Sequence, residues 1–154
     1  MILISHRGNI NGRNAKRENS EDYIKEALNK NYNVEIDVHF YKNNFYLGHD
    51  KPQYKTSKKF LTNKKFWIHA KNFESLRELK KFAINYFWHE SDQYTLTNKG
   101  FIWTYPNKKL CEQSIAVCLK KKHIKRKIFG ICSDFVDFYR SKNYEYNSSF
   151  SRKK

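Results

Sequence analysis

Short apolar runs recur along the chain, and polar connections separate them. These runs occupy residues 2–4, 34–40, 45–47, 66–70, 86–89, 100–104, 115–119 and 128–132. Their lengths, and the Gly, Asn and Lys residues that flank them, are typical of β-strands. The run 34–40 alternates strictly, with Glu35, Asp37 and His39 on one face and apolar residues on the other. We therefore expect about seven strands, one of which has a strongly polar face.

Helical spacing occurs twice between these runs. Asn19-Ser20-Glu21-Asp22 supplies N-capping side chains, and the pattern predicts a helix over about 20–30. Apolar residues at 73, 76, 79, 82 and 83 predict a second helix over about 73–84, whereas the polar, lysine-rich residues 51–65 predict a loop. Strands punctuated by helices indicate an α/β fold with a parallel sheet. At this length the pattern favours an abbreviated TIM-type (β/α) barrel, with several helices shortened or replaced by loops.

Length and charge narrow the class of protein. The 154 residues predict one domain over 1–142 and a basic, flexible tail over 143–154. A formal net charge of +16 favours an anionic partner. No apolar run approaches the roughly 18 residues of a membrane span, and the first residues lack the basic flank of a signal peptide, so we expect a cytoplasmic protein. The spacing of Cys111, Cys118 and Cys132 predicts free thiols.

Polar motifs follow the first three strand runs. They are His6-Arg7-Gly8, Glu35-Ile36-Asp37 and His49-Asp50. In a (β/α) barrel the carboxyl ends of the strands form one mouth, where catalytic groups gather. Residues i and i+2 of a strand share a face, so Glu35 and Asp37 can reach one divalent cation. The alternative for this pair is the solvent-facing side of an antiparallel strand.

These three motifs, together with Asn19 before the first helix, resemble the glycerophosphodiester phosphodiesterase family in residue type, order and spacing over residues 2–50. The resemblance implies a TIM-type barrel that binds one divalent metal ion, Mg²⁺ or Ca²⁺, with Mn²⁺ as an alternative. It implies that Glu35 and Asp37 are metal ligands. It further implies that His6 and His49 are the catalytic acid and base.

The resemblance extends to phosphate binding but weakens after residue 50. It assigns Arg7 to the substrate phosphate. Family members carry Glu-x-Lys on the third barrel strand, and this chain has His69-Ala70-Lys71 there. Lys71 is then expected to face the phosphate and His69 to take the place of the third metal ligand, with Glu90 as an alternative ligand. An imidazole makes the site less suited to a hard cation such as Ca²⁺.

Two features near the other end of the chain complete the set of candidates. Residues 130–135 are similar to the last barrel strand of the family, in which the aspartate corresponding to Asp134 serves structure more often than catalysis. Trp103 ends a strand run, so it is a candidate for contact with a substrate head group, and core packing is its alternative.

The expected function is metal-dependent hydrolysis of a phosphodiester, either a glycerophosphodiester or a related small or glycan-linked compound. Two alternatives remain. The net charge and the basic residues 120–127 also suit a nucleic-acid-binding protein, for which a solvated connection is the simpler explanation. His69 in place of glutamate also suits an inactive barrel that binds a phosphate-containing ligand. The substrate head group, the use of a cyclic phosphate and the oligomeric state stay open.

Overall fold

A computed structural model describes residues 1–82 and 84–141 of the chain, so the predicted tail and the predicted domain end at 142 lie outside the described residues. The strands are β1 (Ile2–His6), β2 (Asn33–Tyr41), β3 (Asn44–Leu47), β4 (Tyr54–Thr56), β5 (Phe66–Ala70), β6 (Asn85–Phe87), β7 (Tyr94–Leu96), β8 (Ile102–Thr104), β9 (Ser114–Cys118) and β10 (Gly130–Ser133). The helices are α1 (Glu21–Asn29), α2 (Lys58–Leu61) and α3 (Phe73–Leu79). Residues 136–141 are also helical.

Seven strands pair in parallel in the order β6, β5, β2, β1, β10, β9, β8. The first strand therefore lies beside the last. Strands β3, β4 and β7 extend this array through antiparallel pairs. The parallel pairs confirm the predicted α/β class, and between residues 84 and 135 the chain connects its strands without a helix.

The sheet curls around an apolar interior. Inward side chains come from six strands: Ile4, Trp67, Phe87, Trp103, Ile115 and Cys132. The ring of Phe87 in β6 stacks on that of Trp103 in β8, with centroids 4.4 Å apart. The two ends of the parallel array thus face each other, although no ladder joins them in the described residues. This arrangement is compatible with an abbreviated barrel.

Helices α1 and α3 cover the outer face of the sheet beside β2. Helix α1 begins after Ser20, whose hydroxyl accepts a hydrogen bond from the backbone N–H of Tyr23. It buries Ile24 against the apolar residues of β2 in the outer core. Because successive side chains of a strand point to opposite faces, the helical layer directs Glu35 and Asp37 inward. Both are buried, which excludes the solvent-facing alternative for this pair.

Three local predictions need correction. Residues 51–65 are not simply a loop, because they contain β4 and α2; Ser57 caps α2, and Leu61 is buried. The second helix ends at Leu79, earlier than expected, and Phe82 packs instead against Phe45 at a centroid distance of 5.7 Å. Strand β7 was not expected, because its side chains remain largely exposed. Among the thiols, Cys118 and Cys132 are buried, and all three cysteines are free as predicted.

Candidate functional site

A cavity of about 490 Å³ lies at the carboxyl ends of the parallel strands. It is lined by seven of the eight residues singled out from the sequence: His6, Arg7, Glu35, His49, His69, Lys71 and Trp103. The eighth, Asp37, lies directly behind them and is fully buried. A larger depression of about 640 Å³ runs along α1, but it contains no histidine, and its only carboxylate, Glu26, is paired with Arg17. The candidate site is therefore the first cavity.

His6 is held by a carboxylate from the far end of the chain. Its Nδ1 lies 2.7 Å from Oδ1 of Asp134, and its Nε2 lies 3.9 Å from Oε2 of Glu35. Burial alone would lower the pKa of His6, but the hydrogen bond to Asp134 and the charge of Glu35 outweigh burial and raise it. The nitrogen that remains free of Asp134 points toward Glu35.

His49 reaches the same cavity from the turn after β3. The backbone N–H of Gly48 donates to the carbonyl oxygen of Asp37 at 3.1 Å, which fixes this turn to β2. His49 Nδ1 lies 2.6 Å from Oδ1 of Asp50. Burial lowers the pKa of His49, in the opposite direction to that of His6. Two histidines with pKa values shifted apart in one cavity are suited to act as acid and base.

The two carboxylates of β2 have different surroundings. Burial, and then the charge of Asp37, raises the pKa of Glu35, whose Oε2 has no hydrogen-bond partner among the described residues. Burial would also raise the pKa of Asp37, but a hydrogen bond from His69 and the charge of Arg7 lower it far below its usual range. Asp37 is thus the ionised anchor of the site, whereas Oε2 of Glu35 makes no hydrogen bond within residues 1–82 and 84–141.

Cationic and amide side chains surround Asp37. Arg7 Nε lies 2.8 Å from its Oδ2, and Asn19 Nδ2 donates to the same oxygen at 2.9 Å. Asn19 Oδ1 accepts from the backbone N–H of Asp37 at 3.0 Å, so one amide holds both the side chain and the main chain. Lys71 Nζ lies 3.8 Å from Oδ1. The predicted phosphate-binding residues Arg7 and Lys71 therefore flank the acidic pair at the cavity wall.

The residues suggested as metal ligands come together. Glu35, Asp37 and His69 each offer one ligand atom within 4.8 Å of the other two. The unpartnered oxygen of Glu35 is the second observation that fits a cation, because a buried carboxylate oxygen without a partner is costly. Glu90 lines the same cavity but is not part of this cluster. The donor set of two carboxylates and one imidazole suits a divalent metal ion.

Several residues of the site were missed or dismissed at the sequence level. Asp134 holds His6 in the cavity, and Asn9 Nδ2 donates to the same Oδ1 at 2.8 Å. The carboxylate of Glu18 accepts from Asn9 Nδ2 at 2.8 Å and from Arg7 Nη1 at 3.4 Å. His89 stacks on His69 with ring centroids 4.4 Å apart. The sequence offered one signal for His89: it follows Phe87 by two residues, so in an extended strand the two side chains share a face.

Trp103 lies in β8, and Tyr105 directly follows this strand; both line the cavity. Trp103 is 4% exposed and packs against Phe87 and Trp67, so it forms the floor of the cavity as part of the core. Tyr105 is 46% exposed at the rim. Core packing therefore accounts for Trp103, and Tyr105 is the more accessible aromatic side chain beside the site.

The basic segment 120–127 begins next to the cavity. Leu119, which lines the cavity, is followed directly by this segment, and its charged side chains are exposed. Lys127 pairs with Glu112 at 3.3 Å, and Lys121 Nζ lies over the ring of Phe135 at 5.4 Å. Most of the positive charge in this segment thus remains free to act on an anion near the mouth.

No family model, curated protein or solved structure matches the chain. None of the helices in residues 1–82 and 84–141 is both long enough and apolar enough to cross a membrane.

Proposed function

We propose that this protein is a metal-dependent phosphodiesterase, built as an abbreviated TIM-type barrel, that cleaves a glycerophosphodiester or a related small or glycan-linked phosphodiester. One observation carries the proposal. His6 and His49 line one cavity together with Glu35, and the charged groups Asp37, Arg7 and Lys71 adjoin it. Buried charged groups are costly, and their convergence on one cavity is typical of a functional site rather than of an ordinary polar surface.

In this proposal Glu35, Asp37 and His69 hold the divalent cation, for which Mg²⁺, Ca²⁺ and Mn²⁺ are the candidates. When bound, the cation supplies charge stabilisation at the non-bridging oxygens of the phosphate. The close grouping of the three ligand atoms and the unpartnered Oε2 of Glu35 support this assignment. Asn19 keeps Asp37 in place through its two hydrogen bonds.

His49 accepts the proton of the attacking hydroxyl or water, and His6 donates a proton to the departing oxygen. The shifts in pKa, downward for His49 and upward for His6, suit this division. Asp134 fixes the His6 ring so that Nε2 faces the cavity. Where the substrate carries a hydroxyl beside the phosphate, that hydroxyl is the nearest nucleophile and yields a cyclic phosphate.

Arg7 and Lys71 offset the negative charge that builds on the phosphate in the transition state. Both adjoin Asp37, so they are held at the cavity wall before substrate arrives. The positive charge of residues 120–127 attracts an anionic substrate toward the mouth.

A panel of phosphodiesters tests this function directly. Purified protein is incubated with glycerophosphodiesters, glycan-linked phosphodiesters and short RNA in the presence of Mg²⁺, Ca²⁺ or Mn²⁺, and product is quantified. We expect turnover of at least one small phosphodiester and its loss in excess chelator. Saturable binding without product from any substrate would instead identify an inactive phosphate-binding barrel.

A nucleic-acid-binding protein is the second candidate. The exposed cations of residues 120–127 and the net charge of +16 favour it. This candidate predicts an affinity for nucleic acid that falls steeply with log salt concentration and is insensitive to Glu35→Gln. A flat salt dependence would exclude this function.

A further inference from the structure

The imidazole of His69 is held rigidly inside the barrel mouth. Its side chain is 8% exposed. The ring lies parallel to those of Phe87 and His89, with centroid distances of 5.0 and 4.4 Å and interplanar angles of 7° and 10°. The two stacks hold the plane of the His69 ring, and the contacts of its nitrogens with Asp37 and with His89 favour one direction for each nitrogen.

The two nitrogens of His69 have different partners. Nε2 lies 3.2 Å from the backbone carbonyl oxygen of His89, which can only accept a hydrogen bond, so a proton on Nε2 is donated to that oxygen. Nδ1 lies 3.1 Å from Oδ1 of Asp37 and donates a hydrogen bond to it when it carries a proton. A divalent cation would take the place of that proton, because an imidazole nitrogen binds a metal only when it is deprotonated, and Nδ1 and Oδ1 would then both be available to the cation. A carbonyl acceptor behind the ring is the usual support of a metal-binding histidine.

Asp37 is divided in a complementary way. Arg7 and Asn19 both contact Oδ2, at 2.8 and 2.9 Å. Oδ1 is the oxygen that faces His69. Oδ2 of Asp37 is therefore used for support, whereas Oδ1 has His69 and, at 3.8 Å, Lys71 Nζ as its neighbours. Glu35 completes the ligand cluster with Asp37 and His69.

We propose that His69 coordinates the cation through Nδ1 and makes the site select a divalent ion of the first transition series, such as Mn²⁺, over Mg²⁺ and Ca²⁺. This inference rests on the proposed metal site and names the residue that sets its selectivity. Mg²⁺ and Ca²⁺ prefer oxygen ligands, whereas imidazole suits transition metals. The nitrogen also removes one negative charge relative to a third carboxylate, which weakens binding of the two hard cations most.

Two measurements on the full chain test the proposal. Pulsed EPR of bound Mn²⁺ should detect a coupled imidazole nitrogen in the wild-type protein, and the coupling should disappear in His69→Glu. Calorimetric titration should give a ratio of Mg²⁺ to Mn²⁺ dissociation constants that falls by about tenfold or more in His69→Glu. If the glutamate variant fails to fold, both measurements are made on His69→Gln, whose side chain offers a neutral oxygen donor. Gln113→Glu makes the same charge change at an exposed position just before β9 and should leave both readouts unchanged.

The possible results separate this inference from the proposed function. Nitrogen coupling without turnover of any phosphodiester would support His69 as a metal ligand and contradict the proposed phosphodiesterase activity. Metal-dependent turnover without nitrogen coupling would overturn the inference about His69, and so would an unchanged ratio of dissociation constants in His69→Glu. Either result would still be consistent with the proposed phosphodiesterase activity. Failure of Mn²⁺ to bind the wild-type protein would also overturn the inference about His69.

Discussion

Nδ1 of His6 lies 2.7 Å from Oδ1 of Asp134, although 128 positions separate the two residues along the chain. His6 ends β1, and Asp134 directly follows β10. The parallel pairing of β1 with β10 brings them together, with Ser5 opposite Ser133. The orientation of this histidine is therefore a consequence of the way in which the first strand joins the last.

Asp134→Asn should impair catalysis through His6. The substitution removes the charge that helps to raise the pKa of His6 and weakens the hold on its ring. We expect turnover to fall by about 10²- to 10⁴-fold with little change in KM, and the pH-rate limb assigned to His6 to move to lower pH. Asp137→Asn makes the same chemical change three residues later and should keep the wild-type pH-rate profile. Equal effects of the two substitutions would mean that Asp134 acts only on stability.

Glu35→Gln should separate stability from metal binding. Glu35 is a buried carboxylate beside Asp37, and its Oε2 has no partner among the described residues. In the presence of chelator we expect the variant to be as stable as the wild type or about 1–2 kcal/mol more stable, because charge repulsion is removed. Added Mn²⁺ should raise the melting temperature of the wild type and not that of the variant. Equal stabilisation of both proteins by Mn²⁺ would contradict a ligand role for Glu35.

Gly48→Ala should displace His49. Gly48 has a φ of +144°, and a Cβ added there would lie 2.3 Å from the carbonyl oxygen of Lys51. The turn must therefore open, at a cost of about 1–3 kcal/mol, and His49 must move with it. Measured turnover should fall much more than KM rises. Gly100→Ala is the control, because its Cβ would meet no atom within 4 Å although its φ is also positive. Wild-type turnover in Gly48→Ala would show that the turn does not position His49.

Asp137, which lies outside the candidate site, should make the free energy of unfolding depend on pH. Burial alone would raise the pKa of Asp137, but hydrogen bonds from Tyr32, Asn11 and Lys30 outweigh burial and lower it. A carboxylate with a lowered folded-state pKa contributes stability above its unfolded-state pKa of about 3.9, and this contribution is lost as pH falls through the folded-state value.

Asp137→Asn should thus cost about 1–2 kcal/mol at pH 7, and the difference should shrink below about pH 4. Denaturant titrations of both proteins between pH 3 and pH 7 measure it. A difference that stays constant over this range would contradict the ionic role of Asp137.

The sequence was informative wherever neighbouring residues carried the signal. The alternation in β2 predicted which face contains Glu35 and Asp37, since the parity of a strand is a local property. The burial of that face depends on the curl of the sheet around the interior, while α1 and α3 pack on the opposite face. The contact of Asp134 with His6 was not accessible in this way, because strand closure is a long-range property. Likewise, β4 and α2 are short and lysine-rich, and they are ordered by pairing with β3 and by Ser57 rather than by periodicity.

The assignment of His6 and His49 as the catalytic pair is tested most directly by ³¹P NMR of a glycerophosphodiester incubated with Mn²⁺ and with wild-type, His6→Ala or His49→Ala protein. We expect the wild type to convert the diester signal to a phosphomonoester or cyclic phosphate signal. Each variant should be slower by about 10²- to 10⁴-fold while its affinity for Mn²⁺ is retained. Conversion at the wild-type rate by both variants, or an unchanged diester signal with the wild type, would contradict the assignment.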